Sequence, residues 1–126
     1  MASPRESLYK KRILSIGNII RNHAKKLNIS GIAITGSRAR HKHTIHSDED
    51  IIISATNDPS KLEFYPKLMK VLRKIFPDWR VYSGKSYNVI HLDDPIKGGD
   101  FELVLLTEAQ FNDHHKKEII YRKKEL

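Results

Sequence analysis

The chain has 126 residues, with 23 Lys and Arg against 15 Asp and Glu, a net charge of +8. That length suits one domain, able to bury about two-thirds of its unfolded surface without a staple. It holds no cysteine, which excludes a disulfide framework and a thiolate metal site; no apolar run approaches the ~20 residues of a membrane span, and the opening MASPRESLYKKR lacks the apolar stretch of a secretory signal, so a cytoplasmic protein is the expectation.

The positive balance favours an anionic partner: a nucleotide, a nucleic acid or an acidic protein surface. Solubility alone is the competing explanation. Residues 5–27 predict a helix, with Leu8, Ile13, Ile16, Ile20, Ala24 and Leu27 at helical spacing and Lys and Arg on the other face. Ser3 or Pro4 marks its start. ISGIAIT, residues 29–35, is short, β-branched and uncharged, and predicts a central strand. SRARH, after Gly36, suits a short helix. IIISA, residues 51–55, predicts a second buried strand that the turn signal NDPS ends.

Residues 60–75 predict an amphipathic helix with Leu62, Tyr65, Leu68, Met69, Leu72 and Ile75 on one side and Pro66 near its first turn. WRVYS (79–83) and YNVIHL (87–92) predict a hairpin around Gly84-Lys85, followed by the loop DDPIKGG. FELVLL, residues 101–106, predicts a further strand. Thr107 then caps a last helix with Glu108 and Gln110 in its first turn, and the charged segment 107–126 is assigned to it. The expected fold class is α/β (α+β): one domain, with a mixed sheet of about four or five strands flanked by helices.

The chemistry concentrates in GSRARHKHTIHSDED, residues 36–50. Alternate residues of a strand share a face, so Asp48 and Asp50 point one way and Glu49 the other. Two carboxylates on one face suit a hard divalent cation such as Mg²⁺. Such an ion also accepts phosphate oxygens, and in pairs such ions activate an attacking oxygen and stabilise a leaving one. Gly36 lets backbone approach an anion, and Ser37 offers a hydroxyl and amide donors to phosphate. A third carboxylate completes such a site. Glu102, between Phe101 and Leu103, interrupts an apolar strand; Asp100, two residues earlier on the same face, is the alternative.

Gly36-Ser37, ten intervening residues and Asp48-Glu49-Asp50 resemble the GS-x10-D-x-D signature of the minimal nucleotidyltransferases, within the DNA polymerase β-like superfamily. The resemblance spans about residues 29–106, and GSRAR matches the commonest form of the turn. It implies a mixed sheet flanked by helices and Mg²⁺-dependent transfer of a nucleoside monophosphate, with Mn²⁺ as a substitute ion. It implies metal ligands at Asp48 and Asp50, phosphate contacts at Gly36 and Ser37 with Arg38 beside the nucleotide, and, by the apolar-acid-apolar pattern, a third acid at Glu102. The resemblance also implies a partner: family members of this size often pair with HEPN-domain toxins and act as antitoxins, adding AMP from ATP to a toxin tyrosine. Two positions depart from the pattern: His41 stands where the family has glycine, and Glu49 where it has an apolar residue.

Plainer readings stand beside these. Asp48 and Asp50 could form a solvated acidic turn, Ser37 an ordinary helix cap, and Glu102 a solvent-facing strand residue. His41, His43 and His46 form H-x-H-x-x-H, which lacks the spacing and the cysteines of a structural zinc site; exposed side chains or phosphate contacts fit them better. Arg38 and Arg40 either reach phosphate or solvate a short helix. Trp79 and Tyr82 read as core or hairpin packing. The rival function is a binding module that keeps the fold and basic surface but grips a protein or nucleic acid without chemistry.

Overall fold

The structure, a computed structural model, describes residues 4–35, 51–56, 64–84, 88–114 and 117–123. It is α/β, with a mixed six-stranded sheet and four helices among the described residues. The helices are α1 (Pro4–Arg21), α2 (Ala24–Leu27), α3 (Phe64–Ile75) and α4 (Glu108–Asp113). The strands are β1 (Ile29–Ile34), β2 (Ile51–Ala55), β3 (Arg80–Ser83), β4 (Val89–Asp93), β5 (Asp100–Leu106) and β6 (Glu118–Arg122). Their order is β3-β4-β5-β2-β1-β6. Only β2 and β5 run parallel; every other neighbouring pair is antiparallel. No helix among the described residues is long and apolar enough to cross a membrane.

The expected first helix is two. At the end of α1 the bonds tighten to i−3: the Asn22 N–H donates to Ile19 and the His23 N–H to Ile20. Asn22 and His23 are weak helix formers, which makes this the cheapest place to interrupt it. α2 ends at Asn28, a left-handed residue (φ 57°) whose N–H returns to the Ala24 and Lys25 carbonyls. The apolar stripe survives the break: Ile13, Ile16, Ile20, Ala24 and Leu27 are all buried.

The C-terminal assignment is corrected. The helix covers only Glu108–Asp113, and Glu118–Arg122 is an edge strand, so the sheet has six strands rather than four or five. The start of that helix is as expected: the Thr107 side chain accepts from the Gln110 N–H, and the Gln110 side chain accepts from the Thr107 N–H. EIIYR then favours a strand through its β-branched and aromatic residues. β1 offers it a row of backbone donors and acceptors that would otherwise stay unpaired.

The two faces of the sheet carry different cover. Ile32, Ile34, Ile51, Ile53, Leu103 and Leu105 join Ile16, Leu68 and Leu72 of the helices in the main core. The opposite face has a smaller cluster, Ala33 and Ile52 under Phe111 of α4. Phe111 approaches this closely because position 31 is glycine: a Cβ there would meet its ring at 2.7 Å and the Ser54 Oγ at 2.9 Å. Among the described residues cover by α4 is local, and toward β5, β4 and β3 this face is open, its side chains half-buried or exposed.

One buried charge ties α1 to the β4–β5 connection. Asp94 is 4% exposed. It takes Arg12 Nη2 at 3.0 Å on one oxygen, and the Ile96 and Lys97 amides at 2.9 and 3.1 Å on the other. Burial pushes its carboxyl up, but the two amides and the guanidinium outweigh that and hold it below its ordinary value. A lowered folded value adds stability that is complete above the ordinary carboxylate range and is lost as pH falls through the lowered one. Asp94→Asn is expected to melt well below the wild type at neutral pH, with the gap closing on acidification. Lys10→Ala, which removes only the exposed 3.7 Å pair with Glu118, shifts melting by little. Thermal melts of the three proteins across an acid pH series check this.

Candidate functional site

Gly36, Ser37, Arg38, Asp48 and Asp50 lie outside the described residues, as do His41, His43 and His46. The described strands fix where the chain leaves and re-enters the sheet around them. β1 ends at Ile34, and Ile34 pairs with Ile51, the first residue of β2. Ile51 in turn pairs with Leu103 of β5, and Leu103 with Ile90 of β4. Ile34, Ile51, Leu103 and Ile90 thus form one row across the sheet, all buried in the main core. In sequence, Asp50 immediately precedes Ile51, Gly36 follows Thr35, and Glu102 immediately precedes Leu103.

Glu102 lies on the opposite face from Leu103, because strand residues alternate. That is the face of Ile52, Val104 and Phe111. The side chain is half-buried. Its partner on β4 is His91, whose partner on β3 is Tyr82, so Tyr82, His91 and Glu102 continue as a second row on this open face.

Asp100 is on the same face two residues earlier and opposite Asp93. Both of its oxygens have partners. The Tyr82 hydroxyl donates to Oδ2 at 3.2 Å, and Oδ1 lies 3.2 Å from His91 Nδ1. The Tyr82 and His91 rings stack at 4.9 Å with planes 10° apart. The stack aims the tyrosine across β4 toward β5. Partial burial, then the charge and hydrogen bond of Asp100, push the Tyr82 hydroxyl above its ordinary value, so it stays protonated at neutral pH.

Trp79 packs as expected, 4.7 Å from Phe76 and 5.9 Å from Phe101. Tyr82 is hairpin packing in part, but it stands on the open face and is 40% exposed. His91 drew no attention in the sequence. The register that pairs Tyr82 with His91 sets two stacked rings beside Asp100 and in the row of Glu102, and the residues alone do not give that register.

Among the described residues no group of three or more His, Asp and Glu side chains could hold a metal ion. Glu102 with Asp48 and Asp50 would be an all-oxygen, anionic donor set, which fits a hard divalent ion such as Mg²⁺. Comparison with protein-family models, with curated proteins and with solved structures gives no match. The resemblance read from the sequence therefore rests on its motif and on the strands around it.

Proposed function

We propose that the chain is a metal-dependent nucleotidyltransferase of the polymerase β-like kind, transferring a nucleoside monophosphate, AMP from ATP, to a hydroxyl acceptor. The observation that carries this reading is the row Ile34–Ile51–Leu103. Through it the end of β1, the start of β2 and the early part of β5, which the motif's residues follow, precede or occupy in sequence, meet at one end of the three central strands. Two distant acids in a sequence gain meaning as a site only when the fold brings their strands side by side, and parallel pairing of β2 with β5 does so.

In this reading Gly36 and Ser37 cradle the β- and γ-phosphates, and Arg38 offsets phosphate charge. Asp48, Asp50 and Glu102 are the ligands of two Mg²⁺ ions, which supply Lewis-acid stabilisation of the developing phosphate charge. The reading requires Asp50 to continue the alternation of β2, which sends it to the face of Ile52 and Glu102. The register also favours Glu102 over Asp100 as the third acid. Glu102 stands one residue before the Ile51–Leu103 pair that opens the β2–β5 ladder, whereas Asp100 is two residues further out. A tyrosine of a HEPN-domain toxin is the acceptor that the resemblance suggests.

The phosphates meet two or three carboxylates, so a triphosphate is expected to bind weakly until a cation bridges them. Calorimetric titration of ATP with Mg²⁺ and again in EDTA measures this; equal affinity in EDTA would sink the metal assignment. Incubation with labelled ATP, GTP, CTP and UTP, Mg²⁺ and protein, RNA or small hydroxyl acceptors tests transfer. No transfer from any nucleotide, together with tight binding of a protein or nucleic acid, would hand the function to the binding-module reading.

A further inference from the structure

We propose that Tyr82 is itself an acceptor of the nucleotidyl group, so that the chain modifies its own β3 strand. The inference rests on the nucleotidyltransferase reading above and adds to it a named acceptor atom.

An acceptor hydroxyl for this chemistry needs to be reachable, to have a base at its proton, and to stand on the face of the sheet that carries Glu102. Tyr82 meets the three conditions together. It is 40% exposed. Its hydroxyl donates to Asp100 Oδ2 at 3.2 Å. It shares the open face with Glu102, in the row Tyr82–His91–Glu102. The atom that matters is nearer still, because the tyrosine leans over His91 to reach β5 itself. Asp100 and Glu102 are two residues apart on one face, which is roughly 7 Å along a strand. A phosphate bound beside Glu102 through a cation would lie a side chain's length, ~7 Å, from the Tyr82 oxygen.

The neighbours hold this arrangement in place. His91 Nδ1 is 3.2 Å from Asp100 Oδ1 and leaves Oδ2 directed at the tyrosine. The His91 ring stacks on the Tyr82 ring and limits its swing. Hydroxyl, carboxylate and orienting imidazole follow the logic of an activated nucleophile: an acceptor, a base in reach of its proton, and a third group that fixes the base. The other tyrosines with described side chains lack such a partner. Tyr65 donates to Ser83 Oγ at 2.7 Å and to the Val89 carbonyl at 3.1 Å, neither of which is a base. Tyr121 packs against the main core.

The step balances without a further reactant. Tyr82 Oη attacks the α-phosphorus of a nucleoside triphosphate, and an O–P bond forms. The bond from the α-phosphorus to the bridging oxygen breaks, and pyrophosphate leaves. The hydroxyl proton passes to Asp100 Oδ2. The product is a phosphodiester between Tyr82 and the nucleoside.

The test uses the full chain with Mg²⁺ and ATP, GTP, CTP and UTP, each labelled at the α-phosphate. Pyrophosphate release is followed, and the protein is digested to locate the label, with and without an added tyrosine-containing peptide. The expected result is label on the fragment that carries Tyr82, absent in Tyr82→Phe and reduced ~10²-fold or more in Asp100→Asn, the range for loss of a positioned base. Mapping on the wild-type chain does not depend on a variant folding, and melting curves check the variants. Pyrophosphate release with label only on the peptide, or on another residue of the chain, would overturn the inference and leave the nucleotidyltransferase reading standing. Neither pyrophosphate nor label from any nucleotide would overturn both.

Discussion

Asp48→Asn and Asp50→Asn are each expected to abolish nucleotidyl transfer while the protein melts at its wild-type temperature or slightly above. The two halves of this result have one cause. Without a cation, Asp48 and Asp50 are like charges two residues apart, and Glu49 between them adds a third. Each carboxylate raises the cost of ionising the other, so neutralising one relieves repulsion in the free protein. In the proposed enzyme the same charge holds the cation that binds triphosphate and stabilises the transition state. Loss of several kcal/mol of such stabilisation, at about 1.4 kcal/mol per factor of ten, puts the rate down by about 10³-fold or more. Circular dichroism melts and a labelled-nucleotide assay on the same samples read both halves. A large fall in melting temperature would make the acids structural, in the way that Asp94 is, with its guanidinium and two amides.

That contrast shows which parts of the molecule were legible in the sequence. β1, β2 and β5 are apolar over most of their length, and their bounds fall within a residue of the expected ones: β1 and β2 are buried on both faces, which leaves little choice of residue, and β5 is buried on the core face. Helix spacing gave the buried stripe of α1 and α2 even though the helix breaks at Asn22 and His23, since the core selects the stripe whatever the local bonding. Glu102 was visible because an acid inside such a run needs a reason. Other features depended on pairing that the sequence does not spell out. A hairpin turning at Gly84-Lys85 would pair Tyr82 with Tyr87, but the real register pairs it with His91. Four residues of loop therefore decide whether the open face carries a Tyr–His–Asp cluster. The charges in KKEIIYRKK hid β6, whose existence depends on the free edge of β1 more than on its own composition. Asp94 read as part of a loop, and nothing in DDPIKGG revealed that Arg12, 82 residues away in sequence, would reach it.

Glu102→Gln and Asp100→Asn are expected to separate two kinds of loss. Both acids are on β5, both face the open side, and two residues divide them. A ligand of the catalytic ions acts on every acceptor, because its charge is used at the phosphate. A base for one hydroxyl acts on that hydroxyl alone. Glu102→Gln therefore retains binding of triphosphate and ion through the two aspartates but loses transfer to all acceptors by orders of magnitude, the mark of an interaction used mainly in the transition state. Asp100→Asn loses transfer to Tyr82 and is mild toward other hydroxyls, which bring their own surroundings. The assay is label transfer to Tyr82 and to an added acceptor in one tube, with calorimetry of ATP and Mg²⁺ beside it. If Asp100→Asn is dead toward every acceptor and Glu102→Gln is active, the third ligand is Asp100, and the parallel register of Ile51 with Leu103 is not the one that builds the site. If neither substitution changes transfer to any acceptor, no third carboxylate comes from β5. The register argues for the first outcome, since the strand that follows Asp50 begins opposite Leu103, and Glu102 is the acid beside it.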